Sequence, residues 1–284
     1  MSRAATLREA PPRTWLFVPA LRAPEWLSKA KATGTDAIIV DLEDATAPDE
    51  KERAREVVRG LTLGGESPWI FVRVNPRPDA RFAADVAAAV QAGASGIVMP
   101  KAQGADDVRR VPAQAGAILA QVETARGVLR ALELAEADPR VMGLGFGGED
   151  LSADLGVART RELGEFATAR ALVALAAAAA GVSSIDTPWF DLGDPDGAGR
   201  EARAARQLGF TGKFVIHPSH VAAVNAAFTP DEQETERARR IIGAFDAAVA
   251  DGSGIAKLDG RMIDMPVVVS ARRVLERAER GRRA

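Results

Sequence analysis

The chain has 284 residues, of which 47% are hydrophobic and 27% are charged, and its formal net charge is −2. This balance is typical of a soluble globular protein with one large core and argues against general affinity for nucleic acid. The absence of cysteine excludes disulfide bonds and thiolate catalysis, and the two histidines leave little room for a multi-histidine zinc site.

The amino-terminal segment has no apolar stretch of signal-peptide length, and Glu9 is unusual for a transit peptide. We therefore expect residues 1–12 to be a disordered arm of a cytoplasmic protein. The longest apolar run, Ala171 to Val182, is too short and too rich in alanine to span a bilayer. Neither a membrane nor a nucleic acid is an expected partner.

Short apolar runs alternate with helical patterns from residue 13 to residue 228. The predicted strands are Trp15 to Val18, Ala37 to Leu42, Trp69 to Val74, Gly96 to Met99, Ala117 to Val122, Val141 to Leu144, Val182 to Asp186 and Lys213 to Ile216. The predicted helices span residues 24–33, 49–60, 79–92, 105–115, 125–136, 163–180, 196–208 and 218–227. Eight strand–helix units predict the α/β class and closure into a TIM (β/α)8 barrel over residues 13–228, with an open doubly wound sheet as the alternative.

Two further helical patterns, Pro230 to Ala250 and Met265 to Arg283, follow the eighth unit. The glycine-rich segment DGSGIAKLDG separates them. We therefore predict that residues 229–284 form a C-terminal helical extension that contributes to an oligomer interface.

The residues that follow the predicted strands include a polar or charged side chain at nearly every strand end, where an α/β barrel carries its active site. They are Pro19 and Arg22; Asp41, Glu43 and Asp44; Arg73 and Asn75; Pro100 and Lys101; Glu123 and Thr124; Glu149 and Asp150; Asp186 and Thr187; His217 and Pro218. A purely structural barrel would not need ionisable groups at so many strand ends, so this pattern predicts a catalytic mouth.

The segment AIIVDLEDATAPDEKERAR places Asp41, Glu43 and Asp44 directly after a buried strand. Three carboxylates this close repel one another and are costly to desolvate unless a cation, a basic side chain or backbone donors compensate them. The loop therefore indicates a polar or metal-bearing cleft. A solvated loop with an aspartate helix cap is the alternative.

Glu123 and Asp150 follow two consecutive predicted strands, so both carboxylates should project into the mouth. Two acids without thiols or several histidines suit Mg²⁺, which takes one or two protein carboxylates and keeps its other positions for water and substrate. The alternative is that both acids stabilise helix amino termini.

Glycines in GLGFGG, from Gly143 to Gly148, formally match a dinucleotide-binding pattern. We reject that interpretation, because the glycines begin inside the strand and two acids follow where a pyrophosphate would bind. The glycines more simply allow a close approach to the backbone, or form a plain turn.

Three basic or polar side chains have open roles. Arg73 could hold a carboxylate or a developing enolate, or could neutralise the acids of the mouth. Lys101 lacks the depressed pKa that a Schiff-base lysine needs, since nearby acids would raise it. His217 is either a hydrogen-bond donor to a ligand or a structural histidine.

Motifs along nearly the whole chain resemble the citrate lyase β-subunit-like branch of the HpcH/HpaI aldolase and citrate lyase superfamily. They are RTWLFVPA, IIVDLEDATAPDEKERAR, FVRVN, GIVMPKA, QVETARGV, GLGFGGEDLSADLG, DTPWFD, LGFTGKFVIHPSH, VNAAFTP and DGRMIDMP. The resemblance implies a TIM barrel that forms trimers or hexamers, binds Mg²⁺, and cleaves or forms a carbon–carbon bond in a β-hydroxyacyl-coenzyme A thioester.

Residue roles follow from the resemblance by motif. Glu123 and Asp150 resemble the metal ligands, with Glu123 also touching substrate, and Arg73 resembles the residue that contacts substrate and stabilises the thioester enolate. Asp264 resembles a catalytic acid/base that reaches in from a neighbouring subunit's C-terminal segment. The ligands of coenzyme A (CoA) are implied to be Arg13, Arg22 and Lys29 for its phosphates, and Ile216 with His217 for its acyl chain.

With Glu123 and Asp150 as direct ligands, the acidic loop takes a supporting role. We expect Asp41, Glu43 and Asp44 to orient metal-bound waters and to pair with Arg73 or Lys101. Two alternative functions remain open. One is an oxo-acid aldolase that acts without CoA, and the other is the β-chain of a multi-subunit citrate lyase that needs partner subunits.

Overall fold

Eight parallel strands close into a barrel in chain order in the computed structural model, which describes residues 2–65 and 67–281. The strands are β1 (Thr14–Pro19), β2 (Ala37–Asp41), β3 (Trp69–Arg73), β4 (Gly96–Met99), β5 (Ala117–Val122), β6 (Val141–Phe146), β7 (Ser183–Asp186) and β8 (Gly212–Val215). β1 pairs with both β2 and β8, so the sheet has no open edge. The predicted TIM barrel is confirmed, and the open doubly wound sheet is wrong.

Helices connect the strands and cover the outside of the barrel. They are α1 (Arg3–Glu9), α2 (Ala23–Ala32), α3 (Lys51–Arg59), α4 (Phe82–Gln91), α5 (Ala105–Arg109), α6 (Ala125–Leu129), α7 (Ala131–Glu136), α8 (Gly148–Leu155), α9 (Ala167–Ala180), α10 (Pro195–Leu208) and α11 (Val221–Phe228). Several predictions differ from the structure, and one is the helix predicted over residues 125–136, which is interrupted at Arg130 between α6 and α7. The segment 105–115 is helical only to Arg109, because Pro112 has no amide hydrogen to donate to the next turn. Helix α8 was not predicted, because it begins with glycines.

The prediction that residues 1–12 are disordered is wrong, because helix α1 forms there. Ser2 caps this helix by accepting a hydrogen bond from the Ala5 amide. Leu7 is fully buried in the same cluster as Ala37 and Ala117, the first residues of β2 and β5. Arg8 also donates from Nε to the Val141 carbonyl at 3.1 Å. Helix α1 therefore closes the amino-terminal end of the barrel, and the opposite end is left for chemistry.

Large aromatic side chains fill the barrel between its closed end and its mouth. The rings of Trp15 and Phe71 meet edge to face with centroids 5.0 Å apart. Phe214 reaches across to β6, where a Cβ on Gly145 would lie 2.6 Å from it. Glycine at this position therefore makes room for the phenylalanine.

The chain divides into two compact units at residues 225 and 226, three residues before the predicted boundary. The second unit contains α12 (Glu232–Ala250), which begins with a capping box between Asp231 and Glu234, and α13 (Met265–Gly281). Its core comprises Phe245, Ile263 and Val268. The helical extension is present as predicted, although the predicted end at residue 283 lies outside the described residues.

A β-hairpin of strands β9 (Ala256–Leu258) and β10 (Arg261–Ile263) joins the two helices of the second unit. Asp259 and Gly260 form its turn with φ angles of 49° and 77°. An Asp-Gly pair is a strong signal for a two-residue hairpin turn, although the hairpin was not predicted within this glycine-rich segment.

Candidate active site

Asp41 and Arg73 form a buried ion pair at the mouth of the barrel, where they end the neighbouring strands β2 and β3 in register. Arg73 donates from Nε to Asp41 Oδ1 at 2.8 Å and from Nη2 to Oδ2 at 2.6 Å. The amides of Glu43 and Ala45 also donate to the Asp41 carboxylate. Burial disfavours the charged form, but these partners outweigh it and hold the pKa of Asp41 below its usual value.

The acidic loop folds back over Arg73. Nη1 of Arg73 lies 3.2 Å from Glu43 Oε2 and 3.3 Å from Asp44 Oδ2. Lys51 fixes the loop from α3, because its Nζ donates to the carbonyls of Leu42 at 2.8 Å and Glu43 at 2.6 Å. Burial raises the pKa of Glu43 even though cations surround it. The interpretation of this segment as a solvated loop is therefore wrong.

Lys101 connects the acidic loop to the predicted metal ligands. Its Nζ lies 2.7 Å from Glu43 Oε1 and 3.2 Å from Asp150 Oδ1, and its amide donates to Glu123 Oε1 at 2.7 Å. Burial opposes its charge, but the hydrogen bond and charge of Glu43, together with the charges of Asp150 and Asp44, raise its pKa. The expected pairing of the acidic loop with Arg73 or Lys101 is confirmed for both residues. A raised pKa is the opposite of what a Schiff-base lysine requires.

Glu123 is fully buried at the end of β5. Burial, with the negative charges of Asp150 and Glu43, raises its pKa to about 8. The Gln121 side chain donates to Glu123 Oε2 and leaves its own Oε1 buried without a hydrogen-bond partner in the described structure. The carboxylate therefore sits among excess negative charge, which a bound cation would relieve.

Asp150 lies in the first turn of α8, directly after β6, and its side chain is 32% exposed. The helix starts close to Glu123, because a Cβ on Gly147 would lie 2.4 Å from Glu123 Oε2. A Cβ on Gly148 would lie 3.0 Å from Thr187 Oγ1. The groups that come close to these two glycines are protein side chains, and the approach of a ligand or metal ion expected for the glycine-rich segment stays a prediction.

Neither acid makes a side-chain cap, although Asp150 lies in the first turn of α8, where the helix dipole favours a carboxylate. Thr124 caps α6 by accepting from the Gly127 amide at 3.0 Å, and α8 begins at Gly148, after the N-cap residue Gly147, without a side-chain cap. Among the described residues, no group of three or more His, Cys, Asp or Glu side chains could hold a metal ion. Glu123 and Asp150 thus offer two carboxylates, with the orphaned Gln121 amide oxygen nearby. This donor set fits a hard divalent cation that keeps water or substrate in its other positions.

The structure does not bring Arg13 to the mouth. Arg13 precedes β1, so it lies at the amino-terminal end of the strands, where its Nε and its amide both donate to Asp36 Oδ2 at 2.8 Å. The resemblance-based expectation that Arg13 contacts CoA is therefore wrong, because the residue lies at the closed end of the barrel. Arg22 follows β1 on the mouth side, whereas Lys29 lies in the last turn of α2; both residues are exposed.

Ile216 and His217 directly follow β8, so they belong to the mouth as expected. His217 Nδ1 lies 2.6 Å from Ser219 Oγ, and this contact fixes the ring. Asp264 belongs to the second unit, where its Oδ1 accepts from the Val267 amide at 3.4 Å and caps α13. The roles assigned to these residues remain predictions.

Supporting residues escaped the sequence analysis because their neighbours are distant in the chain. Asn75 donates from Nδ2 to Asp85 Oδ2 at 2.6 Å and to the Leu42 carbonyl at 3.3 Å. Arg55 holds Asp85 in turn, from Nε to Oδ1 at 2.7 Å. Asn75 was noted only as a strand-end residue, and Gln121 was missed although its place two residues before Glu123 puts both side chains on one face of the strand.

Residues 13–218 match the HpcH/HpaI aldolase/citrate lyase family. The chain belongs to this family. It is 34% identical over 281 residues to the citrate lyase subunit beta of Leuconostoc mesenteroides subsp. cremoris, with 94% of this chain and 93% of the relative covered. It is 36% identical over 273 residues to a (3S)-malyl-CoA thioesterase of Cereibacter sphaeroides, with 95% of each protein covered.

A crystal structure of CitE from Mycobacterium tuberculosis in complex with magnesium, acetoacetate and coenzyme A is similar to this chain, with a TM-score of 0.86 and 35% identity. The alignment covers 95% of this chain and 99% of that one. The resemblance read from the motifs is thereby confirmed. None of the helices within residues 2–65 and 67–281 is long and apolar enough to cross a bilayer.

Proposed function

We propose that this chain is a Mg²⁺-dependent carbon–carbon lyase of the cytoplasm. Its substrate is a β-hydroxyacyl-CoA of the citryl, citramalyl or malyl type, which it cleaves to acetyl-CoA and an oxo acid or forms from them. The observation that carries the proposal is the pair of carboxylates, Glu123 and Asp150, at adjacent strand ends, together with the raised pKa of Glu123. The named relatives and the ligands of the similar CitE structure support it.

Glu123 and Asp150 would hold the Mg²⁺ ion, which when bound supplies a Lewis acid for the hydroxyl or keto oxygen and the neighbouring carboxylate of the substrate. Lys101 lies against Asp150 and orients Glu123 through its amide, so it fixes the relative position of the two ligands. The acidic loop neutralises Lys101 and Arg73 when substrate is absent.

Arg73 supplies the positive charge that the thioester enolate requires. Two of its nitrogens are committed to Asp41, whereas Nη1 faces Glu43 and the half-exposed Asp44. Release of Asp44 would therefore open one side of Nη1 to the thioester oxygen, while Glu43 stays beside Nη1 and the Asp41 pair is undisturbed. Held in a water-poor pocket, this donor stabilises developing negative charge far better than solvent does.

Asp264, contributed by a neighbouring subunit of a homotrimer or hexamer, would act as the base. In the cleavage direction it removes the hydroxyl proton, the carbon–carbon bond breaks, and the electron pair passes to the thioester as an enolate. The resulting acid then returns a proton to the enolate carbon, which gives acetyl-CoA. In the reverse direction Asp264 takes the proton from the methyl group of acetyl-CoA.

The CoA moiety would lie across the β1 and β8 side of the mouth. Arg22 is an exposed cation on the mouth side of β1 and suits its phosphates, and Lys29, exposed in the last turn of α2, is proposed as a second cation for them. The backbone at Ile216 and His217 suits the acyl chain. Arg13 takes no part, since Asp36 occupies it at the other end of the barrel.

The deciding experiment assays the purified chain with Mg²⁺ against malyl-, methylmalyl-, citramalyl- and citryl-CoA, and follows both the free oxo acid and CoA. We expect turnover of at least one thioester, and loss of turnover in Glu123→Gln. Release of CoA without an oxo acid would indicate a thioesterase instead. No turnover of any substrate by metal-saturated protein would refute the lyase assignment.

A second candidate is the β-chain of a multi-subunit citrate lyase, which the similarity to citrate lyase beta subunits favours. Size-exclusion chromatography coupled to activity separates the two functions. A trimer that is active alone on a CoA thioester would eliminate the subunit role. Activity that appears only with added carrier and transferase subunits would establish it.

A further inference from the structure

A cluster of buried charges lies outside the barrel wall, between β7, β8 and the helices that cover them. We call Asp186, Lys213, Arg170 and Glu201 the β7–β8 ion cluster. Asp186 and Lys213 are both 0% exposed, and their oxygen and nitrogen atoms lie 2.8 Å apart. Arg170 from α9 binds both oxygens of Asp186, at 3.0 Å and 2.8 Å, and Glu201 from α10 contacts Lys213 and Arg170. The mechanism above uses none of these groups.

Lys213 uses its three donors on three different acceptors. Besides Asp186 and Glu201, its Nζ donates to the main-chain carbonyl of Thr187 at 2.5 Å. An ammonium group has three N–H bonds, so this carbonyl completes its coordination. The cluster therefore fixes the backbone immediately after β7, at the mouth.

Thr187 connects the cluster to the helix that carries Asp150. Its hydroxyl accepts a hydrogen bond from the amide of Gly148 at 3.1 Å, and Thr187 is fully buried. Gly148 is the first residue of α8 and lies two residues before Asp150. The space between Gly148 and Thr187 is already filled, since a Cβ on Gly148 would lie 3.0 Å from the hydroxyl oxygen.

From these contacts we infer that Lys213 and Thr187 are positioning residues for the metal site. Lys213 fixes the position of the Thr187 main chain through its carbonyl. The Thr187 hydroxyl in turn fixes the position of the first residue of α8, and hence the orientation of Asp150. The inference rests on the proposed function in that it assigns the Mg²⁺ site to Glu123 and Asp150. Outer residues that orient metal ligands typically change metal affinity by about 10- to 100-fold when they are removed.

A purely structural role for the cluster predicts a different result. Buried ion pairs contribute little net stability but are damaging when one partner is removed, so Lys213→Met would lower the melting temperature under either view. Metal affinity separates the two views, because a structural role leaves the affinity of the folded protein unchanged. Thr187→Val removes only the hydroxyl and leaves the ion cluster intact, whereas Thr187→Ser keeps the hydroxyl.

The experiment measures the Kd for Mg²⁺ by calorimetry on substrate-free protein, for wild type, Thr187→Val, Thr187→Ser and Lys213→Met. We expect Thr187→Val and Lys213→Met to weaken binding by about 10- to 100-fold and Thr187→Ser by less than about threefold. The double variant Thr187→Val/Lys213→Met should lose less affinity for Mg²⁺ than the product of the two single losses, because both residues act through one contact. Asp36→Asn, which breaks an ion pair at the closed end of the barrel, is the matched control and should leave the Kd unchanged.

Hydrogen exchange at the Gly148 amide gives a second measurement that needs no metal. Thr187→Val should speed this exchange relative to Thr187→Ser, since only serine retains the acceptor. Wild-type Kd together with wild-type exchange in Thr187→Val would overturn the inference, even if Lys213→Met fails to fold. Wild-type protein that binds no Mg²⁺ would refute the proposed function and the inference as stated, whereas an unchanged Kd in the variants would refute the inference alone.

Discussion

The amide of Lys101 holds Glu123 Oε1 at 2.7 Å while its side chain reaches Asp150 at 3.2 Å. One residue thus contacts both predicted metal ligands, through its main chain on one side and its ammonium on the other. Its backbone has a φ of 51°, a conformation that L residues other than asparagine and aspartate rarely adopt. The geometry of the two carboxylates therefore depends on a single unusual turn after β4.

The affinity for Mg²⁺ should rise with pH up to about 8. Burial raises the pKa of Glu123 to about 8, so below that pH a proton occupies the carboxylate and competes with the metal. The apparent Kd should fall by about tenfold per unit between pH 6 and pH 8 and then level off, with release of up to one proton on binding. Calorimetry in buffers of different ionisation enthalpy measures both effects. A Kd that is constant over this range would contradict the assignment of Glu123.

Lys101→Met should weaken the metal-free fold and strengthen the response to metal. Loss of the ammonium leaves Glu43 and Asp150 without a shared cation, which should cost about 1–3 kcal/mol of unfolding free energy. A Mg²⁺ ion then meets less positive charge, so the rise in melting temperature on adding Mg²⁺ should exceed that of wild type. Melting curves with and without metal test this, and an equal rise would show that Lys101 does not oppose the ion.

Arg73→Lys should reduce kcat/KM strongly, although the variant keeps the positive charge at this position. The single nitrogen of lysine cannot reproduce the planar fork that holds Asp41 through Nε and Nη2 while a third nitrogen, Nη1, faces the substrate. We expect kcat/KM to fall by about 10²- to 10³-fold, as for the loss of a donor to a developing oxyanion. The Kd for Mg²⁺ should change little, because Arg73 is no ligand. Wild-type kinetics in this variant would remove Arg73 from the chemistry.

Gly147→Ala should damage the metal site, whereas Gly164→Ala should not. A Cβ at residue 147 would lie 2.4 Å from Glu123 Oε2, but none of the described atoms lies within 4 Å of a Cβ at residue 164. We expect Gly147→Ala to cost about 1–3 kcal/mol of stability and to abolish tight Mg²⁺ binding. Thermal melts and metal titrations of the two variants test the difference. Similar behaviour of both would mean that α8 can shift away from Glu123.

Asp264→Asn and Glu123→Gln should each be inactive alone and should complement each other when mixed. If Asp264 serves a neighbouring subunit, a mixed trimer contains some sites with one intact copy of each residue. Unfolding and refolding the two variants together should restore about one quarter of the wild-type activity, the share expected for random assembly. Separately refolded samples serve as controls. No recovery in verified mixed trimers would place both residues in the same chain's site, or remove Asp264 from catalysis.

Strand positions and the acids of the mouth were predictable because they depend on local patterns. Apolar runs mark the strands, and the carboxyl ends of parallel strands meet at one end of a barrel, so Asp41, Glu123 and Asp150 were correctly gathered there. The direction of a side chain around the barrel wall was harder to predict. Asp186 was placed with the other strand-end acids, yet it faces outwards to Arg170 because its neighbour Ile185 takes the interior.

Long-range packing decided the remaining errors. No residue near Leu7 in the sequence shows that its side chain packs against the amino-terminal end of the barrel. The segment that forms α1 was therefore predicted to be a disordered arm. Arg13 lies next to the first residue of a correctly predicted strand and not next to its last residue. It therefore lies at the closed end of the barrel and not at the mouth. The charge balance around Glu123 also required the distances between residues on several strands.

The left-handed backbone at Lys101 limits which sequences can occupy this position. The left-handed conformation costs most residues about 1–2 kcal/mol, and glycine or asparagine would reduce this cost. Neither of them carries an ammonium group. Arginine keeps a charge but not its compact shape or the backbone preference. None of these three replacements therefore meets both the backbone requirement and the charge requirement. Few amino-acid replacements should therefore be tolerated at position 101, even in related enzymes with other substrates. The constraint comes from the turn and the charge together, and not from the thioester.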